Sequence, residues 1–490
     1  MKKIISMLCG TCLSSLLMAQ DAPQANSLEE AFTKGTLYGQ LRYSTQHRDS
    51  NLHLLQDSNT PDISDEDKQQ YSAIGGYLGF ATAPLHNTSA GMTFYTSNPI
   101  GNNPDDRKGL GGLDESEGGQ DAYNVLGEAF IKFAKGDHML KAGRQEVSGY
   151  RYVSPSNIRM TPVTHQGVIY ENRSIERLDL KFAYIDKQKE RNATKFIDMV
   201  RAARAMTGCG AVDESGNCVT DGSKRLLRGS FDPNDYDKNG EYSGENKDMP
   251  LIGAVYSSGS YVLEAWDYYA EDFVNTIYLH GQYAFAPFYK DYAVTVLGQY
   301  SNQQDVGKHV AGTVDTWFYG AKFEISGPGL NFFTSFNEVA YNEDSYDGGT
   351  IFVRWGTPQM FNSFQVQDSE LAGTKSLGAG FQYDFGRQGW LPGVVMRVRY
   401  GVYDMPDSIS QADARQDRSE ATFDLRYSFT RDSGFGIFTH MEGLSLQFRL
   451  AYNNYKTDYD YAAFKAIHGY EFASVTDDFV DARLYIDYNF

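Results

Sequence analysis

The 490-residue sequence predicts an all-β fold, a transmembrane antiparallel β-barrel of about eighteen strands with long extracellular loops and short periplasmic turns. Three observations predict it. In residues 480–490, Ala482, Leu484, Ile486, Tyr488 and Phe490 share one face while Arg483, Asp487 and Asn489 share the other. A wall with lipid outside and water inside lets one strand carry Arg and Asp through a bilayer, and a last strand that runs flush to a terminal aromatic suits such a wall. Second, the connections along the chain sort into alternating long and short sets. Third, 41% hydrophobic residues and a mean hydropathy of -0.48 are too polar for a helical membrane protein, whereas 35 Tyr, 30 Phe and 48 Gly suit aromatic girdles and glycine-containing strands.

At the start, Lys2 and Lys3 precede the apolar stretch Ile4 to Met18 and then Ala19-Gln20, the layout of a secretory signal cut after Ala19. Leu17 at minus three is not small, so the signal is better defined than its cleavage point, and a lipoprotein reading through Cys9 or Cys12 lacks the expected small and aliphatic run. No other apolar run approaches the ~20 residues of a spanning helix, so any span in residues 20–490 is a strand. Residues 20–35 read as a periplasmic segment with a short helix, and 36–490 as the barrel.

Period-two alternation marks strands near 36–45, 72–82, 89–96, 124–134, 138–144, 166–173, 176–187, 250–258, 260–268, 273–284, 291–301, 314–326, 329–341, 376–385, 393–403, 420–429, 443–453 and 480–490. Long connections (46–71, 97–123, 145–165, 188–249, 302–313, 342–375, 404–419, 454–479) alternate with short ones (83–88, 135–137, 174–175, 259, 285–290, 327–328, 386–392). Two depart from the rule: 269–272 is short where a long one is due, and 430–442 exceeds a tight turn. An even strand count leaves both termini periplasmic.

A net charge of -19 argues against nucleic acid as a partner. Cys209 and Cys218 stand in a polar loop of an exported chain and are expected to pair, two free thiols being the alternative. The insert 188–249 holds a helix-like stretch, Thr194 to Met206, with Phe196, Ile197, Val200 and Ala203 on one stripe. It either packs on the barrel mouth or plugs the pore. Asp235, Asp237 and Asn239, followed by Gly240, reproduce half of an EF-hand loop. The closing Glu is missing, with Asn246 in its place and Glu245 one residue early, so the alternatives are a structural calcium and a solvated turn.

Eighteen strands close a tube too wide for side chains to fill, so an aqueous channel is expected. The faces assign Leu37, Leu41, Leu178, Phe182, Leu377, Val398, Tyr400, Leu446 and Phe448 to lipid, and Glu128, Lys132, Asp179, Lys181 and Asp424 to the bore. Arg397, Arg399, Arg426, Arg449, Arg483 and Arg42 lie inward on strands that are consecutive round a closed barrel. Their guanidinium groups match carboxylates and predict a track that hands an anionic solute along one wall; the plainer alternative pairs each with a lumen acid such as Asp384, Asp424 or Asp487. Catalysis finds little footing, since no G-x-S-x-G occurs and the few histidines lack partners at useful spacing. An adhesin or receptor would act through the acidic outer loops, including Asp62, Asp65, Glu66 and Asp67.

These features together resemble the OprD-like substrate-specific outer-membrane porins over most of the chain beyond the signal. The resemblance rests on Ser27-Leu-Glu-Glu-Ala-Phe32 before Gly39-Gln-Leu-Arg42, on Leu126-Gly-Glu-Ala-Phe130 before Lys141-Ala-Gly-Arg-Gln145, and on Asn157-Ile-Arg-Met-Thr-Pro162 with Gln166-Gly-Val168. Met396-Arg-Val-Arg-Tyr400, Phe423-Asp-Leu-Arg-Tyr427 and Phe448-Arg-Leu450 are similar to the family's arginine ladder. The resemblance implies a monomeric barrel, needing no cofactor, narrowed by its third and seventh loops and passing small carboxylate solutes. It departs at 188–249, which is longer and more charged than the family leads one to expect. If loop 145–165 folds inward, Arg151 and Arg159 stand opposite the ladder and set the eyelet, with Arg354, Trp355 and Gln359 as seventh-loop counterparts. The expected partners are outer-membrane lipid, small anionic solutes and, through the strand ending at Phe490, the barrel-assembly machinery.

Overall fold

The computed structural model describes residues 24–55, 63–103, 109–114, 120–203, 211–212, 218–219, 243–285, 291–310, 312–342, 344–356, 359–406, 417–430, 441–456 and 473–490. The signal, Cys209 with the side chain of Cys218, and the calcium candidates Asp235, Asp237 and Asn239 lie outside them. A short helix α1 (Leu28–Thr33) comes first, capped by Ser27, whose hydroxyl accepts from the Glu30 amide at 3.1 Å. It packs Ala31 against Ala25 and Ala83 and stacks Phe32 on Phe80, 6.1 Å between rings.

Eighteen strands then run up and down: β1 Thr36–Leu55, β2 Ile63–Ala81, β3 Thr88–Pro99, β4 Tyr123–Lys135, β5 His138–Gln145, β6 Thr164–Ile175, β7 Leu178–Lys189, β8 Met249–Ser258, β9 Tyr261–Ala270, β10 Val274–Ala284, β11 Ala293–Asp305, β12 Asp315–Gly327, β13 Leu330–Val339, β14 Lys375–Asp384, β15 Val394–Asp404, β16 Arg418–Ser428, β17 Leu444–Tyr455 and β18 Phe479–Asn489. Each pairs antiparallel with its sequence neighbours, and β18 closes on β1 with Arg42 opposite Asp487 and Gln46 opposite Arg483. Closure leaves no free edge, which is why strands can span hydrocarbon at all. Phe490 completes the seam, exchanging amide-to-carbonyl bonds of 3.1 Å each with Gly39. Leu37, Leu41, Leu377 and Tyr400 are all more than half exposed on the outer wall, an apolar band that only lipid would cover favourably.

Two expectations change. Residues 46–55 and 63–71, expected within a loop, belong to strands: β1 and β2 continue as a paired ribbon from Gln46 opposite Tyr71 out to Leu54 opposite Ile63. Beyond the bilayer neither face needs to be greasy, so the ribbon loses the apolar alternation by which strands are found in sequence. The helix expected over Thr194 to Met206 is, among the described residues, only α2 (Met199–Ala203). Asp198 starts it by accepting from the Val200 amide at 3.1 Å, while Ile197 before it bridges to Gln188 as extended chain.

The inside of the tube is two-sided. Over the β6–β13 arc it is filled by an apolar cluster in which inward Ile185, Tyr268, Tyr278 and Phe318 meet Tyr152 and Val153 of the third loop (146–163), Met199 and Val200 of α2, and Ile351 and Trp355 of the seventh loop (340–374). Along β14–β18 and the part of β1 up to Ser50 most inward side chains are polar or charged, among them Gln40, Arg42, Thr422, Asp424 and Arg483.

Candidate functional site

Strand register sets the basic wall. Arg397 on β15 stands opposite Asp424 on β16, Asp424 opposite Arg449 on β17, Arg449 opposite Arg483 on β18, and Arg483 opposite Gln46 on β1. One row across five strands therefore carries three guanidinium groups and a single carboxylate. Because barrel strands tilt, such a row climbs as it goes round, giving a slanted staircase. Arg399 opposite Thr422 and Arg426 opposite Gln447 sit one step to either side.

The structure divides the six arginines into two groups. Arg42 is 5% exposed and grips both carboxylate oxygens of Asp487 at 2.7 and 2.8 Å, while its remaining terminal nitrogen donates to the Asn157 side chain at 2.8 Å and the Arg159 carbonyl at 2.6 Å. Arg483, 2% exposed, is held by Asp481 and donates to the Gln365 carbonyl at 3.0 Å. These two pin the third and seventh loops to the wall. The others face the bore: Arg397 donates twice to Gln382, at 3.0 and 2.7 Å, Arg399 donates to Thr422 at 3.3 Å, and Arg449 lies 3.3 Å from Asp424. Arg426 is exposed, with no hydrogen bond or ion pair among the described residues.

The third loop crosses the interior. At one end Tyr152 donates to Ser301 at 3.0 Å and Arg151 forms a two-pronged ion pair with Glu264, within 3.3 Å of His280. At the other, the Ile158 carbonyl accepts from Gln46 and Tyr485, and Arg159 donates to Gln46. The structure thus places Arg151 on the β9–β10 wall and Arg159 beside the basic row. Burial, with Arg483 and Arg191 close by, holds Arg159 below the usual arginine range. Positive charge is crowded there. His165, at the start of β6, is buried between Gln188 of β7 and the Trp355 carbonyl, both 3.1 Å away, so it ties these two strands to the seventh loop.

In the seventh loop Arg354 is exposed and offsets Asp368 and Glu370, whose carboxyls burial pushes above the ordinary range. Trp355 is buried, donating to the Met199 carbonyl at 2.9 Å. The tip is held by Glu420, whose carboxylate accepts from the amides of Gln365 at 2.9 Å, Val366 at 3.2 Å and Gln367 at 2.7 Å. Sequence reasoning passed over Glu420, Arg48 (on Asp481 at 2.8 Å), Arg191 and Arg418. Glu420 and Arg48 do carry the inward parity of their strands, but their partners lie on loops or across the closing seam, which periodicity does not show.

Arg42→Met strands the Asp487 carboxylate and frees the third loop at one stroke. It should cost about 3 kcal/mol, the usual range for breaking a buried pair, read as a lower thermal unfolding transition in detergent. Glu146, at the start of the third loop, is exposed to the bore yet ringed by protein. Burial, then the neighbouring Glu128, push its carboxyl up to about 7, against the pull of Lys141. The raised value means the folded chain binds this proton more tightly than the unfolded one, so its contribution favours folding at acid pH and is lost as pH rises through about 7. Lowering pH from 8 to 6 should therefore remove one negative charge from the bore and increase anion preference, measured as reversal potential across a salt gradient, and Glu146→Gln should abolish that change.

Residues 101–489 match the family described as outer membrane porin, OprD family. A sequence comparison with curated proteins found no match. Among solved structures, the barrel is similar to OccK9 (OpdG) of Pseudomonas aeruginosa, with a TM-score of 0.68 and 17% identity over 94% of this chain and 99% of that one. OccAB3 of Acinetobacter baumannii gives 0.68 and 15% over 93% and 99%, and OpdK of Pseudomonas aeruginosa, crystallised with vanillate, 0.61 and 16% over 92% and 98%. The chain belongs to the OprD family: it is an outer-membrane porin, a substrate-specific channel set in lipid and not an enzyme.

Proposed function

We propose that the channel passes small solutes bearing a carboxylate, by passive and moderately selective diffusion along the wall formed by β15–β17. The observation that carries this reading is the excess of guanidinium over carboxylate in the row from Arg397 to Arg483. Arg397, Arg399, Arg426 and Arg449 are the rungs a solute meets; among the described residues none is bonded on all its donors, so each can take up and release an anion without a deep well. Arg42, Arg483 and Arg151 hold the loops that narrow the bore, and Arg159 and Arg354 charge its rim. That OpdK was crystallised with vanillate, itself a carboxylate, supports the class of solute. Liposome swelling across acetate, benzoate, amino acids and neutral sugars of equal size tests it: faster entry of the acids is expected, and equal rates for acids and sugars would refute it.

The terminal pairing of Phe490 with Gly39 supports recognition of the last strand by the barrel-assembly machinery, and deleting Phe490 should reduce the heat-modifiable folded form recovered from outer membranes. For a Cys209–Cys218 disulfide and for calcium at Asp235, Asp237 and Asn239 the support is sequence spacing; non-reducing peptide mapping and calcium titration test them.

A further inference from the structure

Beside the exposed rungs, one aromatic side chain of the seventh loop is placed with unusual care. Phe364 lies with its ring under the Arg399 guanidinium, 4.8 Å from centroid to Cζ. Its seat exists because residue 401 is glycine: a Cβ at Gly401 would lie 2.6 Å from Phe364 Cε2. The backbone is held on both sides of the ring, since the Phe364 amide donates to the Gln367 carbonyl at 2.9 Å and Glu420 gathers the next three amides. Arg399 itself is fixed along one edge by Nε donating to Thr422 at 3.3 Å. Its two terminal nitrogens make no hydrogen bond among the described residues.

We propose that Phe364 is a positioning residue for transport. It covers one face of Arg399 so that the planar fork stands with its two terminal nitrogens free for a carboxylate, and Gly401 is the complementary slot. A guanidinium on a flexible stem otherwise samples many rotamers and loses entropy on each capture. Stacking on an aromatic face removes that freedom in advance without using up a donor. The neutral partners matter too, because an acid at 364 or 422 would tie up the fork it is meant to present. This inference rests on the carboxylate reading above and adds the residue that tunes it.

The test uses the full-length protein in planar bilayers, with current block by benzoate and by acetate as the probe and open-channel conductance recorded in parallel. Phe364→Leu should raise the half-blocking concentration of both acids roughly three- to five-fold, the range a partly exposed cation–π contact supplies, with conductance unchanged. Gly401→Ala should do the same by displacing the ring, whereas Phe364→Tyr, which keeps the face, should stay at the wild-type value. Unchanged block in Phe364→Leu, alongside weakened block in Arg399→Ser, would overturn the positioning role while leaving the carboxylate reading intact. Unchanged block in Arg399→Ser would overturn both. A rise in conductance equal to that of a loop deletion would also overturn it, because Phe364 would then be holding the loop rather than the arginine.

Discussion

Replacing Arg397 and Arg399 together with serine is expected to weaken carboxylate uptake by roughly ten- to thirty-fold, taking about 1 kcal/mol for each solvent-exposed ion contact. The barrel itself should stand unharmed. The reason lies in what each guanidinium leaves behind. Arg397 is bonded to the Gln382 amide oxygen and Arg399 to the Thr422 hydroxyl, so removing them strands no buried carboxylate, and Asp424 keeps Arg449 and Gln447 as partners. Arg42 and Arg483 differ, since each is itself buried, neutralises an acid on β18 (half-buried Asp487, buried Asp481) and anchors a loop. The double substitution is therefore a clean probe of transport, and replacements at Arg42 or Arg483 probe architecture. Half-saturation of acid flux in reconstituted vesicles measures the effect, with flux of a neutral sugar of the same size as control. Because the contacts face water, the difference should shrink with ionic strength as the screening length falls below about 10 Å. Wild-type half-saturation in the double variant would show that the basic row does not guide the solute.

That division was only partly legible in the sequence. Alternation places Arg397, Arg399, Arg426, Arg449, Arg483 and Arg42 on one side of their strands, because a lipid-facing residue must be apolar and its neighbour then points inward. Strand limits are legible for the same reason wherever lipid imposes the pattern, as at β4, β14 and β15. Where lipid stops, so does the signal: residues 46–50 and 68–71, Gln-His-Arg-Asp-Ser and Lys-Gln-Gln-Tyr, pair as strand without an apolar alternation. Loops are harder still. Whether Arg483 is a rung or a tether depends on the Gln365 carbonyl, 118 residues away, and on Asp481, which shares its strand face. Whether Arg151 lines an eyelet depends on Glu264, 113 residues away. Contacts between an irregular loop and a distant strand follow no period, so sequence yields the candidates and only three dimensions separate their roles.

Glu420→Ala is expected to release the seventh loop as Arg42→Met releases the third. The carboxylate is buried, and its two oxygens gather the amides of Gln365, Val366 and Gln367 within 2.7 to 3.2 Å. Three successive amides aimed at one anion are a small nest, and hydrogen bonds to a charged acceptor contribute about 1.5 to 3 kcal/mol each. Alanine removes every acceptor at once. The loss will be smaller than the sum, since the freed amides can turn to bore water, and about 3 kcal/mol of local stability is a reasonable scale. The tip then leaves the wall, taking with it the Gln365 contacts to Asp481 and Arg483 and the Phe364 ring beneath Arg399. Single-channel recordings should show larger and noisier conductance together with weaker acid block. Glu420→Gln keeps one acceptor oxygen within reach of Gln365 and Val366 while losing the charge, so it should fall between wild type and alanine on both readouts. Quiet, wild-type conductance in Glu420→Ala would mean that the loop stays in the bore without this carboxylate, and that its seat is set by Asn362 against Ser335, Asn337 and Ser376 instead.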